Sequence, residues 1–212
     1  FMRVTAATFL PRPPKRGDVL PVFAGFRPLA APRSEGKKTK EISRSHKLIR
    51  EKSGLITIIG GKWTTYRKMA QDTLDLAIRY MHIPTKDCIT ERYQIHGSRK
   101  NPDFSDPLYV YGTDADEIRN LVASSPAMAE KLHPDYAYTV GEVTWLVRNE
   151  MPRTLEDVLA RRLRILFLDA RAAMAMAPKV AGILATEWGK DETWTSAQVK
   201  AFNEVASNYI LN

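Results

Sequence analysis

A single cysteine, Cys88, is the only thiol in 212 residues, so the chain holds no internal disulfide and no Cys-based zinc site, which needs several thiolates at short spacing. The four histidines, His46, His82, His96 and His133, show no metal-ligand spacing either. This cysteine usage fits a reducing, intracellular setting. Long apolar runs are also missing: no stretch approaches the ~20 residues of a membrane-spanning helix. Phe1-Met2-Arg3-Val4 lacks the charged-then-apolar layout of a signal peptide, and an opening on Phe reads as a cut inside a longer chain. Neither a P-loop of the form GxxxxGK(S/T) nor a GxGxxG dinucleotide turn occurs, and no internal repeat is evident.

What is present is an ordinary globular composition, 44% hydrophobic and 26% charged, which excludes disorder and collagen. The length suits one large domain or two small ones. A formal charge of +8 makes acidic partners worth weighing: phosphorylated small molecules, nucleic acid or an anionic membrane surface. Much of the excess lies in Arg33 to Lys52, where eight basic residues face three acidic ones. Aromatics do not interleave with that stretch, which argues against single-stranded nucleic acid and leaves a solvated loop as the plain reading.

Asp18 to Ala24 reads as a short extended element after the proline cluster Pro11-Arg12-Pro13-Pro14. Leu55 to Ile59 is an apolar, β-branched strand. Gly60-Gly61 then makes a tight turn, and Thr64 to about Met81 keeps the three-and-four apolar spacing of an amphipathic helix. Alternation over Cys88 to His96 suggests one more strand, followed by a linker from Gly97 to Pro107. Beyond it the pattern turns helical. Four capping boxes, Thr113 with Asp116, Thr139 with Glu142, Thr154 with Asp157 and Thr195 with Gln198, precede apolar stripes. A fifth helix is expected from Pro178 to Trp188, ahead of Gly189. Arg161 and Arg162 have Glu156 and Asp157 one turn away as partners, and Trp145, Trp188 and Trp194 fall on or beside the stripes, as core or interface residues do. The fold class is α+β, a mixed α/β part followed by an all-α domain.

Two local patterns carry chemistry. A glycine pair between a strand and a helix lets a ligand approach the backbone, and the helix start offers free N–H groups to an anion, with Lys62 adding a full charge. The same residues also make a plain strand-to-helix turn. In Gly25-Phe26-Arg27-Pro28-Leu29 an arginine sits in an apolar context and needs an anionic partner, either a carboxylate of the protein or a bound substrate.

Taken in order, Asp18-Val19-Leu20 with Val22-Phe23-Ala24-Gly25-Phe26-Arg27-Pro28-Leu29, Ile42-Ser43-Arg44, and Gly60-Gly61-Lys62-Trp63-Thr64-Thr65-Tyr66-Arg67-Lys68-Met69-Ala70 resemble the FAD-dependent glycerol-3-phosphate dehydrogenases. Downstream, Tyr111-Gly112-Thr113-Asp114, Leu132-His133-Pro134, Arg153-Thr154-Leu155-Glu156-Asp157-Val158-Leu159 and Phe167-Leu168-Asp169-Ala170 are similar to that family's C-terminal helical domain. The resemblance implies residues 1–96 as the C-terminal part of the flavin and substrate domain, and 97–212 as the helical domain. It also implies oxidation of glycerol 3-phosphate to dihydroxyacetone phosphate, with hydride passing to FAD and electrons to a quinone-type acceptor. Arg27, Arg44 and Lys62 become substrate-binding candidates, with Arg27 and Lys62 also catalytic. Gly60, Gly61, Lys62, Trp63 and Thr64 become cofactor-binding candidates. No metal and no nucleic acid are expected. The location implied is cytoplasmic, peripheral on the inner face of the cell membrane, and a homo-oligomer is allowed. Because the family's GxGxxG segment does not occur in these residues, the isolated chain is expected to be inactive. A non-catalytic helical module that docks proteins or a membrane surface is the rival reading.

Overall fold

The computed structural model describes residues 2–26 and 45–211. Contacts divide the chain into two units, one formed by Phe1–Ala24 with His96–Asn212 and the other by Gly25–Ile95. Most of the ordered structure is helical, with one two-stranded sheet, so the fold is α+β with a helical C-terminal part.

In the first unit the chain opens with α1 (Met2–Ala7) and a 3-10 turn at Arg16–Asp18. The extended element expected over Asp18–Ala24 belongs to no sheet: Asp18 closes the 3-10 turn, and the Val22 N–H is given to the Tyr209 carbonyl at 2.7 Å instead of a neighbouring strand. Phe23 sets its ring edge-on to Phe167, with centroids 5.2 Å apart.

The second unit begins, among described residues, with a strand hidden inside the basic stretch. β1 (Lys47–Arg50) pairs antiparallel with β2 (Ile56–Ile59), Lys47 opposite Ile59 and Arg50 opposite Ile56. Two bonds close the connection, Glu51 N–H to the Leu55 carbonyl and Gly54 N–H to the Glu51 carbonyl. β2 falls where its β-branched run predicts, yet it is only half-buried, because a two-stranded sheet covers one neighbour per strand. After Gly60-Gly61 comes a 3-10 turn, Trp63–Thr65, which leads into α2 (Tyr66–Met81), and His82 ends the helix in a left-handed conformation at φ +53°. The helix forms as its periodicity requires, although Leu74 and Met81 of its stripe remain exposed.

No strand forms over Cys88–His96. Alternating side chains make a strand only where a neighbour accepts the backbone bonds, and here the Arg92 N–H turns back to the Ile89 carbonyl while Ile89, Tyr93 and Ile95 point into solvent. Cys88 is exposed, its thiol 3.0 Å from the Thr90 hydroxyl.

The helical unit continues through a 3-10 turn (Tyr109–Asp114), α3 (Ala115–Ala123), α4 (Pro126–Ala129), α5 (Val140–Asn149), a π-helical turn (Asp157–Arg162), α6 (Ala170–Trp188) and α7 (Glu192–Ser207). Val143 and Leu146 of α5, Leu155, Val158 and Leu159 around the π turn, Met176, Val180 and Leu184 of α6, and Phe202 of α7 form one buried cluster. Each such side chain contributes about 1.5–3 kcal/mol of burial. Alanines at 172, 173, 177, 181 and 185 of α6 are buried too, and their small side chains let α5 and α7 both pack on that helix. Trp145 is buried, while Trp188 and Trp194 meet edge-to-face at 5.7 Å where α6 passes to α7.

The capping pattern divides. At Thr154 the box is complete: the Asp157 N–H donates to the Thr154 hydroxyl and the Asp157 carboxylate accepts from the Thr154 N–H. Thr139 caps α5 by accepting from the Glu142 N–H at 3.2 Å. Thr113 caps nothing, since Asp114 holds the N-cap position of α3 and makes no side-chain cap bond. Thr195 lies inside α7, whose cap is Asp191, accepting from the Trp194 N–H at 2.8 Å; Gln198 instead accepts from the Leu155 N–H at 3.1 Å. The fifth helix starts eight residues before Pro178. Asp169 caps it through the Ala172 N–H, and the proline sits within α6, ahead of the left-handed Gly189 at φ +62°. Arg161 bonds both Glu156 and Asp157 as its spacing suggests, whereas Arg162 meets Asp157 only at its carbonyl, at 3.0 Å, and pairs with the Glu150 carboxylate and carbonyl.

Candidate functional site

The sharpest backbone geometry in the smaller unit is the join between β2 and α2. Gly60 and Gly61 both lie in the left-handed region, at φ +77° and +79°, where side chains other than glycine are strained. Both are also closely approached. A Cβ at Gly60 would come within 2.9 Å of the Ser45 carbonyl, and one at Gly61 within 2.5 Å of the Met69 sulfur. The fold itself therefore requires this pair, whatever else the turn does.

Past the glycines, Lys62 is exposed and its N–H donates to the Thr65 hydroxyl, which in turn donates to the Lys62 carbonyl. Trp63 and Thr64 open the 3-10 turn, so their N–H groups have no helical acceptor and face an exposed surface. Trp63 is 88% exposed, its ring tilted against that of Tyr66 at 6.0 Å. Gly60, Gly61, Lys62, Trp63 and Thr64 thus form one contiguous corner with free donors, a cation and an indole. Arg27 and Arg44, together with the basic run 33–44, lie outside the described residues. Of the remaining basic residues in that stretch, Arg50 stacks its guanidinium 4.0 Å above the Tyr80 ring.

Sequence reading missed the group that braces this corner. Nε2 of His46 lies 2.9 Å from one Asp72 oxygen, Nζ of Lys68 is 2.9 Å from the other, and the His46 Cβ borders the space beside Gly61. The hydrogen bond from Lys68, with His46 adding to it, holds the Asp72 carboxyl below its ordinary range. Lys68 and Asp72 show the one-turn spacing of a helix pair, but no local signal joins His46 to a residue 26 positions on.

A second titratable pair lies in the helical unit. The Tyr111 hydroxyl donates to Oε1 of Glu142 at 2.6 Å, and Glu142 is only 4% exposed. Burial pushes the Glu142 carboxyl up to about 7, against the Tyr111 bond and the Thr139 N–H, which favour the charged form. Burial, followed by the nearby Glu142 charge, drives the Tyr111 phenol well above its usual value. Among the described residues no helix is long and apolar enough to cross a membrane.

The family description "C-terminal domain of alpha-glycerophosphate oxidase" matches residues 55–195. The chain is 35% identical to a probable mitochondrial glycerol-3-phosphate dehydrogenase of Caenorhabditis elegans, over 92% of this chain and 29% of that protein. It is 34% identical to the probable mitochondrial glycerol-3-phosphate dehydrogenase of Dictyostelium discoideum, over 92% of this chain and 33% of the relative. The mitochondrial glycerol-3-phosphate dehydrogenase of Mesocricetus auratus is 31% identical, again over 92% of this chain and 29% of the relative. The chain therefore spans about a third of the length of the curated relatives it matches.

Proposed function

This chain belongs to the family of the alpha-glycerophosphate oxidase C-terminal domain, and from that membership we propose that it is the C-terminal part of a flavin-dependent glycerol-3-phosphate dehydrogenase. The reading rests on the corner at Gly60–Thr64: two glycines with bare backbone, then N–H groups of a helical start and an exposed ammonium group. That donor set suits FAD, whose isoalloxazine ring gathers negative charge on its pyrimidine edge when reduced. When bound, the flavin would accept the hydride that leaves the secondary carbon of glycerol 3-phosphate as dihydroxyacetone phosphate forms, and pass the electrons to a quinone-type acceptor.

The tasks of this chain's residues then follow from their chemistry. Gly60 and Gly61 make the left-handed turn that brings β2 into the helical start, and the N–H groups of Trp63 and Thr64 with Lys62 supply positive potential. Lys62 serves either the cofactor edge or the substrate oxygen. Arg27 and Arg44 supply the planar, doubly donating groups that a phosphate dianion requires. The absence of a GxGxxG turn from these residues supports an isolated chain without turnover. A membrane-bound quinone calls for peripheral attachment to a membrane surface, and no residue pattern here calls for nucleic acid.

A flavin titration of the purified chain, followed by absorbance and flavin fluorescence with and without glycerol 3-phosphate, tests the corner directly. Saturable binding weakened about tenfold by Lys62→Ala is the expected result, whereas binding indifferent to Lys62 places the flavin elsewhere. In the enzyme reconstituted with the flavin-binding portion, Lys62→Ala lowers kcat/KM about a hundredfold. Glycerol 3-phosphate oxidation by the isolated chain with added FAD would contradict the dependence on that portion.

A further inference from the structure

We propose that the cavity between α3 and the start of α5 is a binding site for a small primary ammonium compound with a short apolar body. The cavity measures about 370 Å³, within the range of small-molecule sites. Pro107, Leu108, Val122 and Ala123 provide apolar wall, and Glu142, Asp106 and Arg119 line it as well.

The charges in this wall are unequally matched. Arg119 is held by two acids, Asp106 and Asp116, so its guanidinium is already engaged. Glu142 is 96% buried by contrast, and its partners, the Tyr111 hydroxyl and the Thr139 N–H, are neutral donors. No basic side chain among the described residues reaches it. Burying a carboxylate without a cation is expensive, and a ligand that carries the cation into the cavity removes that cost while its carbon chain covers the apolar wall. Anions are disfavoured, because Asp106 and Glu142 share the wall with one doubly paired arginine. The ionisable groups facing Glu142 are Tyr111 from the 109–114 turn, Tyr138 from the segment before α5, and Asp106 and Arg119 across the cavity. Glu142 is the member of this group whose ordinary carboxyl range is moved to about 7, so binding strengthens as pH rises from 6 to 8.

The test titrates the full 212-residue chain with n-butylammonium, followed by backbone amide shifts of residues 106–142, with n-butanol and n-butyrate as controls. The expected result is saturable binding with Kd on the order of 1 mM at pH 8. It weakens at least about tenfold at pH 6 and in Glu142→Gln, n-butanol binds clearly more weakly, and n-butyrate does not bind. Ala123→Leu sits at an exposed position of α3, narrows the cavity from its wall while leaving Glu142 in place, and weakens the shifts, so the outcome stands even if Glu142→Gln fails to fold. Equal binding of alcohol and amine, unchanged binding in either variant, or no saturable shift below about 20 mM overturns the proposal.

Discussion

Glu142 ties stability to pH at a single residue. Its carboxyl titrates near 4.5 in an unfolded chain and about 7 in the folded one, so the folded state holds the proton more tightly. The resulting stabilisation is complete below pH 4.5 and is lost as pH rises through 7, a change of about 3 kcal/mol. Denaturant midpoints measured from pH 4.5 to 8 should fall accordingly, and Glu142→Gln should flatten that slope. Gly112 makes a different demand. At φ +56° and ψ −118° it lies where L-residues are excluded, and a Cβ there would overlap the Gly97 carbonyl oxygen at 1.6 Å. Gly112→Ala should cost roughly 4 kcal/mol or more, measured as a loss of cooperative unfolding or a collapsed melting temperature. The sequence makes Gly60 and Gly61 legible as a turn because strand and helix flank them within a few residues. It leaves the pairs His46–Asp72 and Tyr111–Glu142 illegible, because only the folded chain brings residues 26 and 31 positions apart together.

At the scale of elements, the caps separate true starts from accidental patterns. Thr154→Ala and Asp191→Ala remove bonds seen at helix starts and should each cost about 1 kcal/mol in urea unfolding. Thr113→Ala removes no cap and should stay within about 0.5 kcal/mol. A four-residue box recurs by chance, and the competing residue wins when it precedes the box on an already helical path. Asp191 does so for α7, and the Thr195 hydroxyl merely bonds back to the Asp191 carbonyl. For α6 no box competes: Asp169 starts the helix ahead of Pro178, and buried alanines on both sides of the proline hold the helix together across its missing N–H. The strand inferred over Cys88–His96 failed for the complementary reason. Alternation is local, whereas a ladder needs a partner, and β1 found one in β2 from within a stretch read only for its charge.

Across the whole molecule the two units differ in kind. Every buried residue among those described lies in the helical unit, and none falls between residues 45 and 95. An antiparallel pair of four-residue strands and one helix, lacking a fully buried side chain, has little apolar burial to oppose chain entropy. Hydrogen exchange should therefore divide the chain, with amides of α2 and the sheet exchanging at least about a thousandfold faster than those of α6. Equal protection in both would contradict this assignment of stability.

Cys88 makes that division accessible to spectroscopy without any engineering. It is the chain's only thiol, it is exposed, and hydrogen bonds from Thr90 hold it below the usual thiol range, which enriches the reactive thiolate. A maleimide dye therefore attaches at one known position, inside the unit that carries the glycine corner. Its anisotropy reports from inside that unit, while hydrogen exchange at the amides of α6 reports on the helical one.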